Sequence, residues 1–218
     1  MDKNFWHRRW QKNEIGFHMT DPHHFLQKYY PLLQTQLTDS IFVPLCGKSP
    51  DLVWLREEGL KVVGIELSRT AIEAFFDEND LPGQWTNETV IPFCAAEGYK
   101  LYCGDFFDLT ATELSGISAY YDRGALVALP PEMCVRYAEH LSALLSSGSR
   151  VLLICYSYNQ NETKGPPFSV PQQELESLFS EKFRIDVLSE EDVLWSHQGL
   201  VERGITQLME YAVLLTRK

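Results

Sequence analysis

Three short polar segments each follow an apolar run of strand length, and each carries residue types that can bind a ligand. Their sequences are PLCGKS at 44–49, GIELS at 64–68 and DRGA at 122–125. In open α/β sheets, ligands bind outside the carboxyl ends of the strands, near the point where the strand order reverses. The segments therefore predict one ligand site that is built from three strand ends.

Glu66 is the residue in these segments that points to a nucleoside. It lies about twenty residues beyond the first loop, where an acidic residue typically holds ribose hydroxyls. Its negative charge would also repel a 2′-phosphate. The simpler alternative is that Glu66 only caps the helix that begins at Ser68.

The first polar loop contains a single glycine, Gly47. A pyrophosphate cradle usually has several glycines, which let backbone N–H groups approach the phosphates. The loop therefore fits S-adenosyl-L-methionine, which carries adenosine without phosphate, better than NAD or FAD. Gly47-Lys48-Ser49 does not form a P-loop, because the first glycine of that motif would fall in the apolar run near position 42.

These segments need a sheet to position them, and the apolar runs predict one. The runs are continuous rather than alternating, as in strands that are buried on both faces of a parallel sheet. The predicted strands are 40–44, 61–65, 100–103, 119–122, 150–156, 184–188 and 208–215, with helices at 50–58, 68–78 and 131–145. This pattern predicts an α/β fold with seven strands, mostly parallel, in which the last two form an antiparallel edge.

The segment before the first strand predicts two helices, 5–10 and 22–34. Two longer stretches, 79–99 and 156–169, interrupt the alternation of strands and helices and are interpreted as loops. At this length the chain is expected to form one domain, 1–218. Residues 1–38 would form an N-terminal helical lid and residues 39–218 the core.

Motifs in almost every part of the chain are similar to those of one known family. They are PLCGK at 44–48, GIELS at 64–68, CGDFFDL at 103–109, DRGALVAL at 122–129, GFH at 16–18 after Trp6 and Trp10, and GPPF at 165–168. With these motifs the chain resembles the thiopurine S-methyltransferases, as a bacterial member. The resemblance implies a Rossmann-like class I methyltransferase that moves a methyl group from S-adenosylmethionine to sulfur.

The resemblance also implies roles for individual residues. It assigns the cofactor to Trp10, Leu45, Glu66, Asp105, Phe106 and Arg123. In this assignment Trp10 closes over the cofactor, the backbone of Leu45 meets its methionine part, and Asp105 and Phe106 bind the adenine. Arg123 lies beside the reacting groups as the catalytic residue. A purine-like acceptor would contact Phe17, with Arg203 as a second cation near it.

The residues themselves leave two questions open. Trp6 and Trp10 are four apart and share a helix face, which is also typical of a core stripe; we assign Trp10 to the lid and Trp6 to the core. Arg123 ends a buried strand and needs an anion there. That anion is the cofactor carboxylate, a substrate thiolate or the neighbouring Asp122.

The predicted reaction is direct displacement, which needs no dedicated base because a heteroaromatic thiol ionises near neutral pH. Cys46 is interpreted as inert packing. His18, His23 and His24 lack further ligands at zinc spacing, so no metal is expected. By resemblance, methylation of selenium or tellurium compounds remains an alternative native role. The residues are also compatible with a dinucleotide-dependent oxidoreductase and with a non-catalytic S-adenosylmethionine-binding module.

The composition argues against several classes of partner. The formal charge of −11, without a basic cluster, argues against nucleic acid and anionic membranes. The odd number of cysteines, five, and an N-terminus without an apolar segment predict reduced thiols in the cytoplasm. The expected protein is a monomer that acts on a small-molecule thiol.

Overall fold

The computed structural model describes residues 3–218. They form two compact units, which divide between Tyr121 and Asp122. In the first unit the helices are α1 Lys3–Gln11, α2 His24–Tyr29, α3 Pro50–Glu57 and α4 Arg69–Glu78, and the 3-10 helices are Tyr30–Leu33 and Phe106–Asp108. Its strands are β1 Ser40–Pro44, β2 Lys61–Glu66, β3 Gln84–Thr86, β4 Phe93–Ala96, β5 Tyr99–Cys103 and β6 Ala119–Arg123, of which the last two residues open the second unit.

The second unit contains three helices and three strands. They are α5 Pro131–Leu144, α6 Gln172–Phe179, α7 Gln198–Val201, β7 Arg150–Ser157, β8 Phe183–Asp192 and β9 Met209–Arg217. Short 3-10 helices lie at Leu126–Ala128, Gln160–Glu162 and Leu194–Ser196.

Parallel pairing brings the carboxyl ends of the central strands of the first unit to one edge. The strand order is β3-β4-β5-β2-β1-β6, and β2 pairs in parallel with both β1 and β5. Pro44 lies opposite Ile65, and Glu66 lies opposite Cys103. The segments that follow β1, β2 and β5 therefore lie at one edge of the sheet. Two of them, 44–49 and 64–68, belong to the three segments that were predicted to form one site. The third predicted segment, 122–125, opens the second unit.

Residues 3–218 contain nine strands rather than the seven that were predicted. The two additional strands, β3 and β4, lie in 79–99, which had been interpreted as a loop. They pair antiparallel with each other, and β4 also pairs antiparallel with β5. Strands of three and four residues between Pro and Gly are too short to show a period of two in the sequence.

The predicted helices of the core are confirmed, and their first residues explain where they begin. Ser49 caps α3 by accepting a hydrogen bond from the backbone N–H of Asp51, and Ser68 caps α4 by accepting from Ala71. The predicted helix 22–34 is instead divided into α2 and a 3-10 turn at Tyr30–Leu33. Pro31 supplies the reason, since proline lacks the N–H that an α-helix needs. Helix α6 had not been predicted.

The strands of the second unit form the antiparallel arrangement that the closing pair predicted. β9 pairs with β7 on one side and with β8 on the other. β8 is ten residues long, ends this strand order, and carries a bulge between Val187 and Ser189. Among residues 3–218, none of the helices combines the length and the apolar character that a bilayer span requires.

Candidate functional site

The loop after β1 turns sharply through left-handed backbone conformations. Leu45 has φ 45° and Gly47 has φ 54°, and the N–H of Cys46 donates to the carbonyl of Ile65 at 3.0 Å. A residue other than glycine rarely adopts the conformation of Leu45. The turn presents the backbone at Leu45, which is the part of this residue that was predicted to meet the cofactor.

Glu66 joins two loops through its carboxylate. Only 7% of the residue is exposed. One oxygen, Oε2, accepts a hydrogen bond from the N–H of Gly47 at 3.0 Å, and the other, Oε1, accepts from the N–H of Ser68 at 2.8 Å. Burial raises the pKa of this carboxyl, and the hydrogen bonds from the backbone oppose that shift.

This arrangement answers the question whether Glu66 only caps a helix. The hydroxyl of Ser68 caps α4. The carboxylate of Glu66 instead accepts hydrogen bonds from the loop after β1, at Gly47, and from the loop after β2, at Ser68. A carboxylate offers about four lone-pair positions, so acceptor capacity remains beside the bonds from the backbone. The carboxylate of Glu66 therefore fits the hydroxyl donors on the ribose of an adenosine cofactor.

Trp10 lies against the loop that holds Gly47. A Cβ atom added to Gly47 would come within 3.1 Å of Cζ2 of Trp10, so the ring covers the glycine directly. Trp10 is 8% exposed, and its ring contacts that of Phe17 edge-on at a centroid distance of 5.7 Å. Trp6 also packs on Phe17, at 5.6 Å. The two tryptophans thus share Phe17, which is itself 43% exposed.

Asp105 and Phe106 follow β5 at the same edge of the sheet. The N–H of Gly104 donates to the backbone carbonyl of Glu66 at 3.0 Å. Asp105 accepts from the N–H of Phe107 through Oδ1 and forms an ion pair with Lys3 through Oδ2 at 2.8 Å. The ring of Phe106 is 3% exposed and packs 6.4 Å from the ring of Phe42. Its side chain belongs to the core, so the backbone is the part of Phe106 that remains for a ligand.

The structure therefore brings six predicted positions of the first unit into one chain of contacts. They are Trp10, Phe17, Leu45, Glu66, Asp105 and Phe106. Their functions remain predictions.

Arg123 lies at the carboxyl end of β6 and is half-buried. Burial raises the pKa of Tyr156, as does the charge of Glu210, whereas the charge of Arg123 lowers it. Tyr156 faces Glu210 across the β7–β9 pair and is hydrogen-bonded to it, and its hydroxyl lies 3.3 Å from Nε2 of His197. Sequence reasoning missed Tyr156 and Glu210. The signal for Glu210 was a single carboxylate within the apolar run at 208–215.

Asp122 directs its carboxylate away from its neighbour Arg123, since consecutive residues of a strand point to opposite faces. The carboxylate accepts hydrogen bonds from the hydroxyl of Tyr137 at 2.6 Å and from the N–H of Ala125 at 3.0 Å. Asp122 is 1% exposed. Asp122 therefore has hydrogen-bond partners of its own within the second unit.

Burial raises the pKa of Asp122 from 3.8 to about 6, and this shift predicts how stability depends on pH. The native state keeps the proton of Asp122 over a range of pH in which the unfolded chain has lost it. The free energy of unfolding should therefore decrease, by a few kcal/mol at most, as pH rises through this range. Urea unfolding of the wild type and of Asp122→Asn at pH 5 and pH 7 isolates the effect. A stability difference that is equal at both pH values would contradict it.

Arg203 contacts the loop at 159–168. Its guanidinium donates to the carbonyl of Pro166 at 2.8 Å and to the hydroxyl of Thr163 at 2.9 Å. The same loop, together with Pro131, lines an open cavity of about 400 Å³. Arg203 thus stabilises a loop in this structure, and its predicted contact with the acceptor remains a prediction.

Cys46 and His23 have structural contacts. Burial, together with the charge of Glu66, raises the pKa of the Cys46 thiol, which disfavours the nucleophilic thiolate. The side chain of His23 accepts from the N–H of Phe25 and caps α2. All five cysteines of the chain are free thiols in the part that the structure describes.

Solved structures with a similar fold include methyltransferases. A SAM-dependent methyltransferase from Anabaena variabilis is similar with a TM-score of 0.66 at 15% sequence identity, covering 99% of this chain and 95% of its own. Another from Methanosarcina mazei has a TM-score of 0.60 at 16% identity, covering 90% and 98%. At such low identity the likeness shows the fold, which is the Rossmann-like class I fold that was predicted.

Sequence relatives are much closer. A thiopurine S-methyltransferase from Nitrosospira multiformis is 44% identical over 215 residues, which cover 99% of this chain and 98% of the relative. Another from Pseudomonas aeruginosa PAO1 is 43% identical over 217 residues, 100% of both chains. The family model described as thiopurine S-methyltransferase matches residues 1–218. The chain belongs to the thiopurine S-methyltransferase family.

Proposed function

We propose that this protein transfers a methyl group from S-adenosylmethionine to the sulfur of small aromatic or heterocyclic thiols, such as thiopurines. The observation that carries this proposal is the match to the family over the whole chain. The geometry supports it, because a buried carboxylate with free acceptor capacity lies where an adenosine cofactor needs one. The loop with a single glycine disfavours the dinucleotide alternative.

The first unit holds the cofactor in this proposal. S-adenosylmethionine supplies a methyl group that is activated by its sulfonium. Glu66 accepts hydrogen bonds from the ribose hydroxyls, and the backbone of Leu45 contacts the methionine part. Asp105 and the backbone of Phe106 bind the adenine. Trp10 covers the loop and excludes water, which favours a reaction between opposite charges.

Arg123 and Phe17 serve the acceptor. The guanidinium of Arg123 stabilises the thiolate form of the acceptor, so the thiol loses its proton to solvent without a dedicated base. The exposed ring of Phe17 offers an aromatic acceptor a surface to pack on. Arg203 adds a second positive charge near the acceptor.

We also propose that residues 1–218 function as one methyltransferase domain, with 1–38 as the lid and 39–218 as the core. The protein acts as a monomer in the cytoplasm, and its partner is a small molecule rather than nucleic acid. The formal charge of −11 supports a partner other than nucleic acid, and the five free thiols support the cytoplasm.

A methyl-transfer assay tests the function directly. Purified protein is incubated with S-adenosylmethionine that is labelled in the methyl group and with 6-mercaptopurine or thiophenol. We expect labelled methylthio products. Hypoxanthine and phenol, which carry oxygen in place of sulfur, serve as matched controls and should remain unlabelled.

The result that would contradict the function is also specific. If calorimetry shows that the sample binds S-adenosylmethionine but neither thiol is labelled, the chain does not methylate aromatic thiols. The binding-module alternative would then account for the cofactor site.

A further inference from the structure

Three of the contacts that join residues 3–23, here called the N-terminal segment, to other parts of the first unit lie at different points along the segment. Near its start, Lys3 forms an ion pair with Asp105. In the middle, the ring of Trp10 covers Gly47. At its end, the N–H of His23 donates to Oδ1 of Asp51 at 2.7 Å. The first two contacts involve the residues that surround the proposed cofactor site, whereas the third lies outside it.

Asp51 has an unusual position for a carboxylate. It lies in the first turn of α3 and is 1% exposed. Its Oδ1 accepts from His23, and its Oδ2 accepts from the hydroxyl of Tyr121 at 3.0 Å. These partners are 28 and 70 residues away in the chain. One buried carboxylate thus connects the N-terminal segment, α3 and β6.

The three attachment points differ in strength. In the ion pair, the side chain of Lys3 is 58% exposed and that of Asp105 is 21% exposed, and exposed pairs contribute little. The contact of Trp10 with Gly47 is a van der Waals contact between a ring and a backbone. Asp51, by contrast, is an ionisable acceptor that is withdrawn from water, so the loss of either of these hydrogen bonds is expected to cost more than the loss of an exposed contact.

We propose that Asp51 is a positioning residue for methyl transfer. It holds the C-terminal end of the N-terminal segment at His23, while the contacts of Lys3 and Trp10 open and close as ligands enter and leave. Phe17 is six residues before His23, so the anchor at His23 determines where the ring of Phe17 lies when the segment closes. The kinetic part of this inference rests on the proposed function, whereas the anchoring itself does not.

Four variants separate anchoring from general stability. Asp51→Ala removes both acceptors. Asp51→Asn keeps a carbonyl for His23 and can donate its NH₂ to the oxygen of Tyr121, so it should restore the anchor. Tyr121→Phe removes one bond to Asp51. Tyr120→Phe is the matched control, because Tyr120 is equally buried on the same strand but donates to the carbonyl of Ile117.

Hydrogen exchange measures the anchor without any reaction. In Asp51→Ala, amides 12–25 should exchange faster while those of β1 keep their protection. In kinetics, the KM for the acceptor should rise roughly tenfold while the dissociation constant of the cofactor changes less than about threefold. Tyr121→Phe should change both quantities in the same direction, but less. Asp51→Asn and Tyr120→Phe should resemble the wild type.

Two outcomes would overturn the proposal. In the first, Asp51→Ala speeds hydrogen exchange equally in β1 and in residues 12–25. That result would mean that the substitution lowers the stability of the whole unit and does not release the segment alone. In the second, exchange and acceptor KM are unchanged. If Asp51→Ala does not fold, Tyr121→Phe is compared with Tyr120→Phe instead. Hydrogen exchange and the KM for the acceptor then decide in the same way. If the wild type transfers no methyl group, the proposed function fails, and hydrogen exchange still decides whether Asp51 anchors the segment.

Discussion

Glu66→Ala should raise the dissociation constant for S-adenosylmethionine roughly 100-fold. The substitution removes the acceptor of the ribose hydroxyls, and it also leaves the N–H groups of Gly47 and Ser68 without their partner. The loss of the bonds from Gly47 and Ser68 also disturbs the cofactor site, because these bonds join the loops that follow β1 and β2. Isothermal titration calorimetry on folded protein measures the effect.

Two further variants control this experiment. Glu66→Gln keeps the size of the side chain and one carbonyl acceptor, so its affinity should lie between those of the wild type and Glu66→Ala. Glu73→Gln removes an equal charge from the surface of α4, where Glu73 pairs with Arg69 at 2.8 Å, and it should bind like the wild type. An unchanged dissociation constant for Glu66→Ala would exclude Glu66 from the cofactor site.

Arg123→Ala should reduce turnover roughly 100-fold while the affinity for S-adenosylmethionine changes much less. The reason is electrostatic. Arg123 is half-buried at a strand end, and its charge already acts on the neighbouring phenol of Tyr156. A thiolate acceptor beside this cation would be stabilised in the same way, and the acceptor thiol would lose its proton less readily without it. Steady-state kinetics with 6-mercaptopurine, together with calorimetry, separates the two quantities.

The controls for Arg123 test charge and location. Arg123→Lys keeps the charge without the planar fork, so it should retain part of the turnover. Arg184→Ala removes an exposed arginine that pairs with Asp186 at 2.9 Å and should have no effect. If Arg123→Ala instead weakens cofactor binding and leaves turnover at saturation unchanged, Arg123 binds the carboxylate of the cofactor.

The part of the fold that continuous apolar runs encode could be predicted from the sequence. Strands β1, β2 and β5 are such runs, and parallel pairing then places Glu66 beside the loop of Gly47 without further information. β3 and β4 could not be predicted in the same way. They are three and four residues long, and they exist because β5 offers β4 an edge to pair with.

The part of the site that the sequence does not predict depends on contacts between residues that are distant in the chain. In the sequence, Asp51 resembles any acidic residue in the first turn of a helix, a position that usually lies at the surface. Its burial follows from His23 and Tyr121, which no local pattern connects to it. Similarly, the contact between Tyr156 and Glu210 requires the register of β7 against β9. Spacing predicts which residues lie at strand ends, but it does not predict which of them exchange hydrogen bonds.

The bulge in β8 has a consequence for how this protein behaves at high concentration. An outer strand of ten residues presents unpaired backbone groups on which another chain can add a strand, the first step of edge-to-edge aggregation. The bulge between Val187 and Ser189 interrupts that template in the middle. Beyond it, Glu190, Glu191 and Asp192 place three successive carboxylates on the same strand. Two copies that approach along β8 would meet a broken backbone register and repelling charge, and both disfavour pairing along this edge.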